Sequence, residues 1–259
     1  MSFSPPKRPP TLWERLLAME EPPPWGQFTA ISVCTISIFC FIVATIVTLP
    51  DGLLFASAEE RWLALNLGAA LSILLLLFRF RQPKQFAALR FSLPSPLQRV
   101  LYFIGWGLLL SFSLDLIGQI LTGRILPPLE LIDTFTQRVD LSLTAWLLAA
   151  LFMLAGQPLV EETMLRGILY PAMRARLKGN AGLWVAILSN ALAHTILHNA
   201  LYGGLGRQAD LVQYWLVIIA PFLAGFAFTL ARVLSQSTLG AVLVHVGASV
   251  GALLKVFLI

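Results

Sequence analysis

Charge is what this chain has least of. Only 12% of its 259 residues are Asp, Glu, Lys or Arg, against 58% hydrophobic, and the mean hydropathy is +0.80. A soluble domain carries about 25% charged and about 45–50% apolar residues. This chain has too little polar surface to screen its apolar side chains from water, so a soluble globule is excluded. Intrinsic disorder is excluded with it, because disordered chains are poor in apolar residues. Cysteine is almost missing. Cys34 and Cys40 lie six residues apart in one apolar run, about 9 Å along a helix axis. That is beyond disulfide reach, and they read as packing residues. Period-two alternation is also lacking: runs such as Leu71 to Phe78 are continuously apolar, which argues against a membrane barrel. Nor is there a nucleic-acid motif, a phosphate-binding glycine loop or an internal repeat.

What the chain does have is apolar runs of membrane length. Each helical crossing takes about 20 mainly apolar residues, and segments near 28–49, 62–78, 100–121, 143–160, 182–198, 211–231 and 239–259 qualify. The expected fold is all-α, a polytopic transmembrane bundle of seven or eight helices. The uncertainty in count sits at Ala155-Gly156-Gln157-Pro158, which reads as a helix break with Pro158 opening a new helix that runs to about Leu177. Residues 1–26 are polar and proline-rich, and 27–259 read as a single transmembrane domain. Thr11 and Glu14 have the spacing of a capping box ahead of Leu12, Trp13, Leu16 and Leu17. This predicts a short interfacial helix ended by Pro22 to Pro24. The first span comes too late and runs too long for a cleaved signal, and no A-x-A site follows it.

The net charge of +5 has a topological reading. Seven spans with a cytoplasmic amino terminus place 13 basic residues on the cytoplasmic side and five opposite, as the positive-inside rule expects. The partner of those basic loops is then anionic lipid headgroup, not nucleic acid. The chain is expected to be an integral, multi-pass membrane protein.

Ionisable residues inside spans are costly and point to function. Here they are Asp115, Glu161, Glu162 and Arg166, and the three histidines, His194, His198 and His245, fall in or beside apolar runs. Glu162 and Arg166 are four apart and share a helix face. Glu161 diverges from Glu162 by about 100° and is left to face something else, as a general base held in low dielectric would. A structural ion pair at a helix end is the competing reading of the same spacing. His194 lies about 18 Å into its segment, near mid-bilayer. His194 and His198 are four apart, and with His245 they offer three ligands for a divalent metal such as zinc, leaving a fourth position for water. The HExxH motif is nevertheless absent, because Thr195 stands in its glutamate position. Asp115, between Leu114 and Leu116, reads as hydrogen-bonded against a neighbouring helix.

Glu161-Glu162-Thr163-Met164-Leu165-Arg166-Gly167 resembles the E-E-x-x-x-R-G motif of the CPBP family, the CAAX-protease and bacteriocin-processing (Abi) membrane proteins. His194 stands where the second family motif places a histidine. Gln236-Ser237-Thr238-Leu239-Gly240-Ala241, leading to His245, is similar to the stretch before the third-motif histidine. The resemblance covers about 143–251. It implies an intramembrane endopeptidase of the type II CAAX prenyl endopeptidase kind, which cleaves a membrane-attached or prenylated protein or peptide near the basic, cytoplasmic side. In that scheme Glu161 and His194 activate a water, Glu162 and Arg166 orient the machinery, and His245 holds the oxyanion. Two positions depart from the pattern. Asn190 replaces a phenylalanine, and Ser249 replaces an asparagine four residues after His245. A hydroxyl donates one hydrogen bond with less reach than an amide, so Ser249 is expected to support the oxyanion more weakly. Two other classes fit the composition. One is a non-catalytic scaffold or chaperone of the same fold. The other is a proton-coupled carrier using Asp115 and the Glu/His cluster, for which no inverted hydropathy repeat is apparent.

Overall fold

The computed structural model describes residues 11, 14, 21–48, 57–92, 97–124, 142–202 and 210–256. Among them seven helices are long and apolar enough to cross a membrane, and no strand occurs. In chain order the elements are α1 (Gln27–Thr48), α2 (Ala58–Arg79), the short α3 (Pro83–Ala88), α4 (Leu97–Thr122), α5 (Leu143–Arg174), α6 (Gly179–Tyr202), α7 (Leu211–Ser235) and α8 (Thr238–Val256). All but α3 have spanning length. The all-α polytopic bundle expected from composition is what folds.

The helix starts follow local chemistry. Ser57 and Ser142 cap α2 and α5 by accepting from the N–H of Glu60 and Ala145. The Ser142 hydroxyl also bonds Glu59, which ties the two starts together. The Thr11–Glu14 capping box forms as its spacing predicts: Thr11 N–H donates to Glu14 Oε2 (2.7 Å) and Glu14 N–H to Thr11 Oγ1 (3.2 Å). Leu12, Trp13, Leu16 and Leu17 lie outside the described residues.

The expected break at Pro158 is corrected. α5 runs unbroken for 32 residues, so the described residues hold seven spans with no separate helix opening at Pro158. The physical reason is a pair of π-helical segments, Phe152–Gly156 and Thr163–Leu169. Just before Pro158 the ladder slips to i→i−5, with Gln157 N–H donating to Phe152 O. Proline then occupies a turn whose register is already widened, without the usual clash and lost bond. Sequence reasoning assumes 3.6 residues per turn and cannot anticipate this slip.

The largest apolar cluster joins α1, α2 and α5, where Phe41 and Trp62 pack on Phe152 with ring centroids 6.4 and 6.1 Å apart. Asn66 of α2 donates to Leu148 O of α5 at 2.9 Å, and Trp25 donates to Ile168 O at 3.2 Å. α8 lies against α4 at glycine contacts. A Cβ on Gly107 would strike the α8 backbone at Val244, and one on Gly247 would strike Ile104. Small residues allow this approach where lipid supplies no hydrophobic drive between helices. Outward, Phe28, Val47, Leu74, Ile120 and Leu143 are more than half exposed, which is the surface a bilayer solvates.

At the end of the bundle where α2 and α7 finish, Thr238 opens α8 by donating to Leu89 O (2.6 Å) and Arg90 O (3.0 Å). The Ser237 hydroxyl also reaches Arg90 O (3.0 Å). This clamp fixes the start of α8, and with it the height of His245.

Candidate active site

Three helices bring the candidate residues together. α5 supplies Glu161, Glu162 and Arg166, α6 supplies His194, and α8 supplies His245. All five are buried, at 5% exposure or less. Arg166 Nη1 donates to Glu162 Oε1 at 3.2 Å, as the four-residue spacing predicts. That spacing survives the π segment because four residues fall only slightly short of one wider turn. Glu161 turns the other way, as expected, and its Oε2 faces His194 Nδ1 at 3.4 Å. Glu162 Oε1 also meets His245 Nδ1 at 2.9 Å. The site therefore contains two carboxylate–imidazole pairs, Glu161–His194 and Glu162–His245, with Arg166 between them.

Arg166 is held along its whole guanidinium. Nη2 donates to Gly225 O (2.7 Å), Nε donates to the Thr229 hydroxyl (3.2 Å), and Nη1 also lies 3.4 Å from His194 Nδ1. Behind it, Thr229 Oγ1 stands 3.0 Å from Asn190 Oδ1, and Asn190 Nδ2 donates to Leu165 O at 2.8 Å. The Asn190 departure is therefore not idle. It is part of the buried polar layer that seats Arg166. Phe228 of α7 forms the aromatic wall: it stacks on His245 at 4.5 Å between centroids, meets His194 edge-on at 5.6 Å, and lies under the Arg166 guanidinium at 5.6 Å. Gly225 gives His194 its room, since a Cβ there would stand 2.9 Å from His194 Cβ.

A cavity of about 140 Å³ adjoins the cluster. Its lining includes His194, His198, His245, Ser249, Gln157 and Phe228. Glu161, Glu162 and Arg166 are not among its lining residues. The two histidines thus face the open space while their Nδ1 atoms turn back to the carboxylates. Ser249 lines the same cavity one turn beyond His245, as its position in the sequence suggests.

His198, the third histidine of the expected metal set, lies one turn beyond His194 on α6 and lines the same cavity as His194 and His245. Its ring centroid is 5.9 Å from that of His194, and those of His194 and His245 are 6.1 Å apart. Among the described residues no three His, Cys, Asp or Glu side chains are grouped as a metal site. The Nδ1 atoms of His194 and His245 face Glu161 and Glu162, which leaves Nε2 of each ring as the atom for any ligand, the orientation that a carboxylate gives a metal-binding imidazole. Asp115 meets a neighbouring helix, as expected, and its partner there is Lys255 of α8; the pairing spans 140 positions and leaves no trace in local pattern.

Thr229, Gly225 and Phe228 were not legible beforehand as site residues. Their only signal is a glycine, a phenylalanine and a threonine three and four residues apart on one face of an apolar helix, a pattern that ordinary helix packing also produces.

Residues 143–251 match the sequence model of a family described as type II CAAX prenyl endopeptidase Rce1-like. The segment holds both carboxylates, the arginine, all three histidines and Ser249. Comparison with curated proteins and with solved structures finds no match.

Proposed function

We propose, from the place of residues 143–251 in the type II CAAX prenyl endopeptidase Rce1-like family, that this multi-pass membrane protein is an intramembrane endopeptidase. Its substrate is a membrane-attached or prenylated protein or peptide. The observation that carries the reading is the buried pairing of each imidazole with its own carboxylate, beside a cavity that the imidazoles line.

In this scheme His194, held at Nδ1 by Glu161, takes a proton from water at Nε2. The resulting hydroxide attacks the scissile carbonyl. His245, carrying protons on both ring nitrogens, donates from Nε2 to the tetrahedral oxyanion while Nδ1–H binds Glu162, and the Ser249 hydroxyl adds a second donor. Such donors act most strongly in a water-poor site. When the intermediate collapses, the C–N bond breaks and His194 returns its proton to the leaving amine. Charge supports this proton inventory. Arg166 and His245 as cations balance Glu161 and Glu162 as anions, whereas an unbalanced buried charge would be strongly destabilising. Glu161, Glu162 and Arg166 are positioning residues here, because they act through the imidazoles. Every step is carried by side chains of the chain. Elemental analysis of purified protein, with a chelator control on cleavage, reads whether zinc accompanies them.

The basic loops fit a cytoplasmic amino terminus and contact with anionic headgroups. Substrate trapping tests the function. Glu161→Gln and His194→Ala should each lower cleavage about a thousandfold or more, as loss of a base or of the carboxylate orienting it does. Both proteins should remain membrane-inserted. Undiminished cleavage by both would refute the reading.

A further inference from the structure

α5 and α6 are joined by residues 175–178 and run antiparallel, and their contacts keep one register. Asn190 Nδ2 donates to Leu165 O, and one turn further from the connection Glu161 Oε2 faces His194 Nδ1. Each step goes four residues back on α5 and four forward on α6. The next step in the same register brings Gln157 level with His198. Gln157–Glu162 is regular α-helix between the two π segments, and α6 is α-helical throughout, so this step is about 6 Å of axis. Gln157 and His198 both line the cavity beside the catalytic cluster. Both are buried, at 2% and 8% exposure. They form a second polar tier, one turn from Glu161 and His194, in a lining that also includes the apolar Leu114, Met153, Leu216 and Ala224.

A peptide bond is hydrolysed where its carbonyl is open to attack, and an extended segment leaves it open, whereas in a helix the carbonyl is bonded to the next turn. An extended segment also carries unpaired N–H and C=O groups into the cavity. A water-poor site has to supply their partners, because a buried unpaired peptide group is costly. Groups that face one side of an extended chain recur every second residue, about 6.6–6.8 Å apart. The two tiers are about 6 Å apart. A segment whose scissile bond lies at His194 therefore sets its next same-facing peptide group at Gln157 and His198. A carboxamide has the same donor and acceptor as a peptide group, so one Gln side chain matches both halves of it.

We infer that Gln157 and His198 form a main-chain subsite, which hydrogen-bonds the substrate backbone two residues from the scissile bond. Gln157 Nε2–H donates to the carbonyl of that peptide group and Oε1 accepts from its N–H, while a ring nitrogen of His198 bonds it from α6. The subsite reads backbone, not side chains. It holds an extended segment in register with the Glu161–His194 pair and is indifferent to the residue that occupies it. The inference rests on the peptidase reading and adds to it which part of the substrate is gripped.

Backbone editing of the substrate tests it. The parent is a membrane-attached peptide bearing a site that appears in cells with the wild-type chain and is lost with Glu161→Gln. Two derivatives replace one amide by an ester, two residues to the amino side or two residues to the carboxyl side of the scissile bond. An ester keeps the shape of the amide but removes the N–H and weakens the carbonyl as acceptor. Full-length protein in mixed micelles is assayed as wild type, Gln157→Met and His198→Phe, and the readout is the ratio of kcat/KM for parent and ester. The ratio is taken within one preparation, so any loss of folded protein cancels. With the wild-type chain one of the two esters should be cleaved about tenfold less efficiently than the parent, and that penalty should shrink in both variants. No penalty at either bond, or a penalty undiminished in either variant, overturns the inference. A merely structural role for Gln157 or His198 slows parent and ester alike and gives the undiminished penalty. Failure of the peptidase reading shows separately, as the absence of any site that depends on Glu161.

Discussion

Replacing Arg166 by methionine tests whether the buried cluster is a balanced unit. The substitution keeps volume and apolar stem but removes the donors to Glu162 Oε1, Thr229 Oγ1 and Gly225 O, all at a position with 0% exposure. It leaves the Glu162 carboxylate buried with His245 as its remaining charged neighbour. Removing one partner of a buried pair costs about 3–5 kcal/mol, more than the pair is worth, because the survivor stays desolvated. Glu162→Gln should cost a comparable amount, since it strands Arg166 in the same way. The double variant Glu162→Gln/Arg166→Met strands neither. Its cost should fall short of the sum of the singles by about 1–3 kcal/mol, the usual coupling for groups in one network. Equilibrium unfolding in mixed micelles, with the four proteins of the cycle at matched conditions, measures the coupling. Costs that add to within about 0.5 kcal/mol would refute the claim that the two charges form one buried unit.

Three smaller perturbations probe the same architecture. Gly225→Ala puts a methyl 2.9 Å from His194 Cβ and should displace the imidazole. Cleavage should fall sharply at equal membrane abundance, and unchanged turnover would show that His194 tolerates the shift. Ser249→Ala removes the second oxyanion donor and should lower turnover by up to about a hundredfold, whereas Ser249→Asn should hold or raise it; steady-state kinetics on one substrate compares them. Asn190→Ala removes the donor to Leu165 O and the acceptor facing Thr229, but Thr229 keeps Gly225 O and Leu165 O keeps the Tyr170 N–H, so the cost should be about 0.5–1.5 kcal/mol, read by the same unfolding assay.

The parts legible in the sequence were those set by local spacing. The Glu162–Arg166 pair, the divergence of Glu161 and the Thr11–Glu14 box all follow from local helix spacing, and the spacing held. The continuity of α5 through Pro158 was not legible, because it depends on two π segments whose register shift answers to packing around α5. The role of Asn190 was hidden for another reason: its partner Thr229 lies 39 positions away, and a single sequence does not reveal which helices touch. The pairing of Asp115 with Lys255 is likewise a product of assembly. Composition reveals that the chain must sit in lipid, but not which side chains its helices bring together.

The central claim is that the Glu161–His194 and Glu162–His245 pairs hydrolyse peptide bonds. Quantitative mapping of membrane-protein termini tests it most directly, in cells carrying the wild-type chain or Glu161→Gln at equal abundance. A defined set of new termini from membrane-attached proteins is expected with the wild-type chain and should be missing with Glu161→Gln. Identical sets of termini in the two cells would contradict it.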